Sequence, residues 1–165
     1  LHFTFSSSMK AATIAQIRKE LHERPTKELI DLCLRMAKFK KDSKELLTYL
    51  LYESDDEAGY VRSVQQEIDE AFDQINAKSY FFIKKSIRKI LRQVKKYIRY
   101  SGKKQTEVEL LLYFCRKLKN MSPSYRRSTV MVNLYEGQIR MIRKAMAKLH
   151  EDLQFDYEEE LAELI

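Results

Sequence analysis

The sequence predicts an all-α protein of seven or eight antiparallel helices, arranged as a short α-solenoid or as an irregular helical bundle. The chain of 165 residues has only three glycines and two prolines, where an average sequence of this length holds roughly twenty of these two residues together. Few chain breakers mean few tight turns, which favours long helices over strands. Apolar residues also recur at steps of three and four along most of the chain, which is the spacing of one helix face.

A single domain accounts for this length. A chain of this size buries roughly two-thirds of its unfolded surface in one core, so residues 9–165 are predicted to form one domain. The eight residues before Met9 have no helical period, and we expect them to be a disordered or non-native leader.

The first three predicted helices cover residues 11–22, 25–39 and 43–54. Ile14, Ile17 and Leu21 give the first helix its apolar face, and Pro25 ends that helix and opens the next. The third helix is rich in Leu. The side chains of the second helix that are predicted to point inward are Leu29, Leu32, Cys33, Met36 and Ala37.

The next three predicted helices cover residues 56–77, 78–101 and 106–120. Asp55, Asp56 and Glu57 stand at the start of the fourth helix, where acids interact favourably with the positive end of the helix dipole. Gly102 follows the fifth helix and is well placed for a left-handed C-terminal cap. The sixth helix is dense in apolar residues, namely Leu110, Leu111, Leu112, Phe114 and Leu118.

A long seventh helix is predicted from Pro123 into the region of Leu153. Ser122 followed by Pro123 is a typical helix start, and apolar residues then recur without interruption at Val132, Tyr135, Ile139, Ile142, Met146, Leu149 and Leu153. Three unbroken heptads also suit a dimer seam, so helix 123–153 is a candidate surface for a homo-oligomer. The acidic tail 151–163 is expected to dock as a last helix or to fray.

Short internal repeats suggest a stacked architecture. Lys27-Glu28-Leu29-Ile30 recurs as Lys44-Glu45-Leu46-Leu47, and Glu45-Leu46-Leu47-Thr48-Tyr49 recurs as Glu109-Leu110-Leu111-Leu112-Tyr113. The stretch Asp55-Asp56-Glu57-Ala58-Gly59-Tyr60-Val61-Arg62 resembles the turn between the two helices of HEAT/armadillo-type repeats. The resemblance covers about forty residues and implies a curved stack of helices with a groove for a macromolecule. It implies no catalytic residue.

A positive helix face is the main feature that points to a partner. The sequence has a net charge of +7 and a pI near 9.3, and residues 78–104 hold eleven Lys and Arg and no acid. Six of these bases, from Lys85 to Lys103, advance by steps of four and three and so lie along about 28 Å of one face. The candidate phosphate- or partner-binding residues, here called the basic stripe, are Lys85, Lys89, Arg92, Lys96, Arg99, Lys103 and Lys104.

Two interpretations of the basic stripe remain open. The preceding helix has eight acids against one base over 53–73, and an antiparallel arrangement would bring Glu67 and Glu70 beside Lys85 and Lys89, leaving a solvated, charge-balanced helix. The other interpretation is contact with phosphates, aided by base stacking. Residues expected to stack on bases are Tyr97 and Tyr100, and those expected to extend the surface are Arg126, Arg127, Arg140, Arg143, Lys144 and Lys148.

The sequence has no recognisable catalytic, cofactor or metal motif. His22 and His150 lack the partners at the spacing of zinc or di-metal sites, and no Gly-rich phosphate loop is present. Cys33 and Cys115 lie in apolar runs, where a thiol is typically a small buried hydrophobe. We therefore predict no enzyme activity, no cofactor and no metal.

The sequence as a whole predicts a non-enzymatic α-helical interaction or scaffold module that binds a protein partner. The alternative is sequence-nonspecific nucleic-acid binding through the basic helix 78–104. Reduced cysteines indicate a cytoplasmic protein, and no apolar stretch reaches the ~18 residues of a transmembrane helix. A basic amphipathic helix also suits an anionic membrane surface, but its apolar face lacks Trp and is needed for the core.

Overall fold

A computed structural model describes residues 9–165, so the predicted leader 1–8 lies outside the described residues. Eight α-helices and no strand occur in this part of the chain, which confirms the all-α prediction. Contacts divide the chain into two compact units, the first ending at Leu47 and the second comprising Thr48–Ile165. This division is finer than the single domain that the sequence predicts.

The first unit is a set of short helices without a core. Its helices are α1 (Ile14–His22), α2 (Thr26–Phe39) and α3 (Lys41–Thr48), the last of which ends one residue into the second unit. Thr13 and Gln16 form a capping box at the start of α1. No side chain of residues 9–47 is buried.

The second unit contains the hydrophobic core. Its elements are a π-helical turn (Tyr49–Glu53), α4 (Glu57–Asp73), α5 (Tyr80–Ser101), α6 (Lys104–Asn120), a 3₁₀ turn (Tyr125–Arg127), α7 (Thr129–Met146) and α8 (Glu151–Ala162). None of the described helices is long and apolar enough to cross a membrane.

Helix α6 lies at the centre of the second unit and contacts α4, α5, α7 and α8. Three consecutive residues, Leu110, Leu111 and Leu112, are all at most 1% exposed. Consecutive helical residues point in different directions, so a helix can bury all three only if other elements surround it. The central position of α6 between four helices thus explains why its apolar residues point in several directions.

Side chains cap the starts of α4 and α5, and the predicted glycine cap at the end of α5 is confirmed. The Asp56 carboxylate accepts a hydrogen bond from the Gly59 amide at 3.0 Å, and the Ser79 hydroxyl accepts one from the Phe82 amide. Gly102 ends α5 with φ 68° and donates its amide to the Ile98 carbonyl at 2.9 Å, a conformation that glycine adopts without steric cost.

The predicted third helix 43–54 is not one regular α-helix. It begins at Lys41, and from Tyr49 the hydrogen bonding changes to a π-helical turn that ends at Glu53. Within this turn Tyr49 is buried and its ring lies 4.6 Å from that of Tyr60. The wider turn leaves the next three side chains, Leu50, Leu51 and Tyr52, exposed.

The predicted single helix 123–153 was wrong. Pro123 follows a cis peptide bond and precedes a 3₁₀ turn, α7 begins at Thr129, and the chain turns at 147–150 before α8. His150 starts α8, accepting a hydrogen bond from the Asp152 amide, and the acids of this first turn suit the helix dipole. The turn lets α8 fold back onto the bundle instead of extending α7.

The acidic tail docks as a helix, one of its two predicted outcomes. Tyr157 and Leu161 of α8 are buried, and the Tyr157 hydroxyl donates to the Glu109 carboxylate of α6. Arg116 of α6 forms an ion pair with Glu160 at 2.9 Å. The apolar residues of the predicted dimer seam pack inside the second unit instead, where Ile139, Ile142 and Met146 are buried.

Candidate interaction surfaces

Helix α5 has the two faces that the sequence predicts. Ile83, Ile87 and Val94 are at most 1% exposed, whereas four members of the basic stripe on α5 point to solvent. These four exposed members are Lys85, Lys89, Arg92 and Arg99, and Arg88 is exposed beside them.

Four residues of the basic stripe are not neutralised by acids of α4. Among residues 9–165, no carboxylate lies within 4.0 Å of Lys85, Lys89, Arg92 or Arg99. The expected pairing with Glu67 and Glu70 does not occur, because Glu67 accepts a hydrogen bond from the Tyr97 hydroxyl and Glu70 accepts one from Gln66 on its own helix. The Tyr97 hydroxyl and the Gln66 amide thus donate to the two carboxylates that the sequence assigns to lysines.

The C-terminal end of the stripe is paired. Lys103 forms an ion pair with Glu57 at 3.2 Å, and Lys104 forms one with Glu107. Lys96 lies 5.8 Å above the Tyr97 ring and 5.9 Å above the Tyr100 ring. Of the seven stripe residues, Lys96, Lys103 and Lys104 are therefore held by neighbouring side chains. The open members are Lys85, Lys89, Arg92 and Arg99.

Glu57 is a junction between four elements of the second unit. Its carboxylate accepts hydrogen bonds from the hydroxyls of Tyr49, Ser101 and Thr106 and from the ammonium of Lys103. Burial by itself raises the pKa of Glu57, but the hydrogen bonds from Ser101, Thr106, Tyr49 and Lys103 together lower it below the ordinary value.

Tyr97 and Tyr100 do not form the stacking platform that the sequence predicts. Both rings are half-buried and contact each other edge-on at 6.1 Å. The Tyr97 backbone carbonyl accepts a hydrogen bond from Tyr60 at 2.9 Å, and its hydroxyl contacts Glu67. These contacts hold the rings against α4.

The first unit has an apolar groove between α1 and α2. The groove encloses about 610 Å³, and its apolar lining residues are Ala12, Ile17, Leu21, Leu32 and Met36. Its rim carries the Glu20–Arg24–Glu28 ion-pair series, in which Arg24 lies 3.8 Å and 3.3 Å from the two carboxylates, together with Asp31 and Arg35. A second cavity of about 430 Å³ adjoins it through Leu32 and Met36 and extends to Phe39.

Nine large apolar side chains on the three helices of the first unit are open. Their exposed fractions range from 37% at Leu46 to 84% at Phe39. The predicted inward positions Leu32, Cys33 and Met36 are exposed as well, so the expectation that they are covered was wrong. The nine residues, here called the open apolar set, are Ile14, Ile17, Leu21, Ile30, Leu32, Leu34, Met36, Phe39 and Leu46.

The titratable groups of the described chain do not form a metal-binding cluster. No group of three or more His, Cys, Asp or Glu in residues 9–165 is placed to hold a metal ion. Cys115 is buried, as predicted, and burial raises the pKa of its thiol to about 12, which keeps it protonated and unreactive at neutral pH. His150 serves as the cap of α8.

Comparisons with known protein families, with curated proteins and with solved structures found no match to this chain. The resemblance of residues 55–62 to HEAT/armadillo-type repeats therefore stays a prediction.

Proposed function

We propose that the protein is a non-enzymatic α-helical interaction module whose α1–α2 groove holds an amphipathic helix of a protein partner. The observation that carries this proposal is the open apolar set. Amphipathic helices in a folded chain normally bury their apolar face, yet residues 9–47 bury no side chain at all. Five members of the set, Ile17, Leu21, Leu32, Met36 and Phe39, line the groove and the cavity that adjoins it, and an exposed apolar groove of this kind is typical of a protein-binding site.

The available area suits a specific interface. With an average exposure near one-half, the five apolar side chains that line the two cavities offer on the order of 500 Å², which is what one partner contributes to a small, transient protein–protein interface. Apolar residues at helical spacing on two adjacent helices form a groove into which a third helix can lay its apolar face.

Charge favours an acidic partner over a second copy of this chain. Residues 9–47 carry ten Lys and Arg against six Asp and Glu, a net charge of +4. Two copies of the first unit would bring like net charges together, whereas an acidic partner helix would be attracted by the unit as a whole. The groove lining itself is nearly balanced, with Glu20, Glu28 and Asp31 against Arg24 and Arg35, so this attraction comes from the bases outside the lining. The proposed occupant is therefore a helix with an apolar face flanked by Asp and Glu.

A pair of synthetic peptides tests this proposal. Both are 18-residue amphipathic helices with the same Leu face, and they differ only in carrying Glu or Lys on the flanks. We expect the Glu peptide to bind the full chain with micromolar affinity and the Lys peptide to bind at least about tenfold more weakly. Equal binding of the two peptides, or no binding of either, would contradict the proposal.

Leu32→Glu should reduce binding of the Glu peptide at least about tenfold, because it places a charge in the apolar groove. The matched control is Phe155→Glu, which alters a residue 70% exposed on α8 and should leave the affinity unchanged. Isothermal titration calorimetry measures both. If Phe155→Glu abolished binding and Leu32→Glu did not, the peptide would bind outside the α1–α2 groove, which would contradict the proposal.

A concentration series in analytical ultracentrifugation distinguishes the second possible occupant. We expect a monomer across the micromolar range. A dimer that Leu32→Glu dissociates would show that a second copy fills the groove, which would overturn the choice of an acidic partner.

A second function, nonspecific binding to nucleic-acid phosphates, is favoured by the exposed, unpaired members of the basic stripe. Lys85, Arg88, Lys89, Arg92 and Arg99 are exposed along about 21 Å of helix, and none has a carboxylate partner within 4.0 Å among the described residues. Four or five phosphate contacts would weaken binding roughly a hundredfold to several hundredfold between 50 and 200 mM salt.

The basic stripe contains both paired and unpaired bases, which provide an internal comparison. Arg92→Gln should reduce the slope of log affinity against log salt by about one unit, because one phosphate contact is lost. Lys104→Gln should change it much less, since Lys104 is already paired with Glu107. Fluorescence anisotropy with a labelled duplex measures both slopes. Binding that is undetectable at low salt, or equally sensitive to the two substitutions, would rule this function out.

A cytoplasmic location is part of the proposal. It is supported by the two cysteines, both of which are free thiols, as expected in a reducing compartment.

A further inference from the structure

A cavity at one end of α7 brings together three arginines that are distant from the basic stripe in sequence. It encloses about 320 Å³, which is the size of a small-ligand pocket. The 3₁₀ turn contributes Arg126, and α7 contributes Arg140 and Arg143 one turn apart. The other lining residues are Tyr125, Val132, Tyr135, Glu136, Ile139, Leu164 and Ile165.

The three guanidinium groups are not neutralised. Among the described residues, none of Arg126, Arg140 and Arg143 has an ion-pair partner within 4.0 Å. Glu136 is the only acidic side chain that lines the cavity, and it forms no ion pair either. The side chains around the cavity therefore carry a net charge of +2.

The floor of the cavity is apolar and rigid. The rings of Tyr125 and Tyr135 stack at 4.6 Å with an interplanar angle of 25°, and both residues are buried, as are Ile139 and Leu164. The Tyr135 hydroxyl donates to the Leu164 carbonyl at 2.8 Å, which fixes the C-terminal segment against α7. This floor offers contact area to the apolar part of a ligand.

Tyr125 also supplies a hydrogen-bond donor. Its hydroxyl oxygen accepts a long hydrogen bond of 3.5 Å from Arg126 Nε, and the Arg126 guanidinium lies 5.9 Å above the Tyr125 ring. The Tyr125 hydroxyl proton has no acceptor among residues 9–165. An anionic oxygen in the cavity would accept this proton.

We propose that this cavity is a binding site for a phosphate monoester with an aromatic or short aliphatic stem. A phosphate monoester carries a charge of about −1.5 to −2 at neutral pH, which matches the net +2 of the lining side chains. Guanidinium groups bind phosphate oxygens with paired, charge-assisted hydrogen bonds. The stem would lie on Ile139 and the stacked tyrosines.

The proposed site is independent of the other two surfaces. Its lining includes no residue of the first unit or of α5. Three of the bases that the sequence places in an extension of the basic stripe thus converge on a cavity of their own.

Titration of the full chain with phenyl phosphate, inorganic phosphate and benzyl alcohol tests the site. We expect saturable binding of phenyl phosphate, weaker binding of inorganic phosphate because it lacks the stem, and no binding of the neutral alcohol. Chemical shifts of the Arg140 and Arg143 amides in heteronuclear NMR spectra report where each probe binds. Equal affinity for phenyl phosphate and inorganic phosphate would contradict the proposed contact between the stem and the stacked tyrosines.

Substitutions separate this site from nonspecific attraction to a basic protein. Arg140→Gln combined with Arg143→Gln should weaken phenyl phosphate binding at least about tenfold, and Tyr125→Phe should weaken it severalfold while keeping the ring pair. Glu136→Gln should strengthen binding, because it removes the one negative charge beside the phosphate.

Arg62→Gln is the matched control, since it removes an exposed arginine of α4 that belongs neither to the cavity nor to the basic stripe. It should leave the affinity for phenyl phosphate unchanged. Equal loss with Arg62→Gln and with the double substitution would overturn the proposal, as would weaker binding in Glu136→Gln. Because Glu136, Arg140 and Arg143 are all exposed, the variants should fold, and far-UV circular dichroism checks that they do.

Discussion

Phe114→Ala should lower the free energy of unfolding of the second unit by about 3–5 kcal/mol. Phe114 is fully buried in the centre of α6, and its ring contacts that of Phe72 of α4 edge-on at 5.9 Å. Removing the ring leaves a cavity between helices that converge on α6, so both burial and packing are lost.

Tyrosine signals report this unfolding without interference from the first unit. All ten tyrosines lie in Thr48–Ile165 and the chain has no tryptophan, so tyrosine fluorescence in a denaturant titration follows the second unit alone. Phe155→Ala, at a side chain 70% exposed, is the control and should change stability by less than about 0.5 kcal/mol. A loss below about 1 kcal/mol for Phe114→Ala would contradict the central position of α6.

Glu57→Gln should destabilise the second unit by about 2–4 kcal/mol. Three hydroxyls and one ammonium donate to the Glu57 carboxylate. An amide in its place carries no charge and directs its own donor N–H groups at these donors, so at least one buried polar group loses its partner. The control is Glu159→Gln, an exposed acid of α8 that should be neutral.

The effect of Glu57→Gln should also depend on pH. The pKa of the Glu57 carboxyl is lowered in the folded protein, so the stability it contributes is present above the ordinary glutamate pKa and is lost as pH falls through the lowered folded-state pKa. Denaturant titrations should therefore show a large difference between the wild type and Glu57→Gln at pH 7, and this difference should shrink as the pH falls below the ordinary glutamate pKa. A difference that grows on acidification would contradict this assignment.

Local sequence patterns predicted the elements whose causes are local. The two faces of α5 follow from one-sided spacing, and its end follows from Gly102, because a left-handed cap needs a residue without a side chain. The dense apolar run of α6 was also evident from the sequence. The burial of its three consecutive leucines, however, depends on four surrounding helices.

The turn between α7 and α8 was missed because the apolar spacing continues through it. Leu149 and Leu153 keep the step of three and four, and such a pattern records which residues share a face but not a change of chain direction. His150 followed by Glu151 and Asp152 was the available signal, since a capping side chain before two acids is typical of a helix start.

The interaction surfaces depend on contacts that no local pattern contains. Lys103 and Glu57 are 46 positions apart in the sequence, so their ion pair could not be predicted from helix spacing. The amphipathic pattern of α1 and α2 correctly indicated an apolar face, but a pattern cannot show whether anything covers that face. The open groove is therefore a finding of the structure.

Amide hydrogen exchange of the full chain tests the central claim that the α1–α2 hairpin has no core and receives a partner. Isolated helices shorter than about 12–15 residues are marginal in water, and α1 has 9 residues and α2 has 14, with no buried side chain. We expect the amides of both helices to exchange orders of magnitude faster than those of α6, and to slow when the Glu-flanked peptide is added. Protection of α1 and α2 equal to that of α6 in the monomeric chain without peptide would contradict the account.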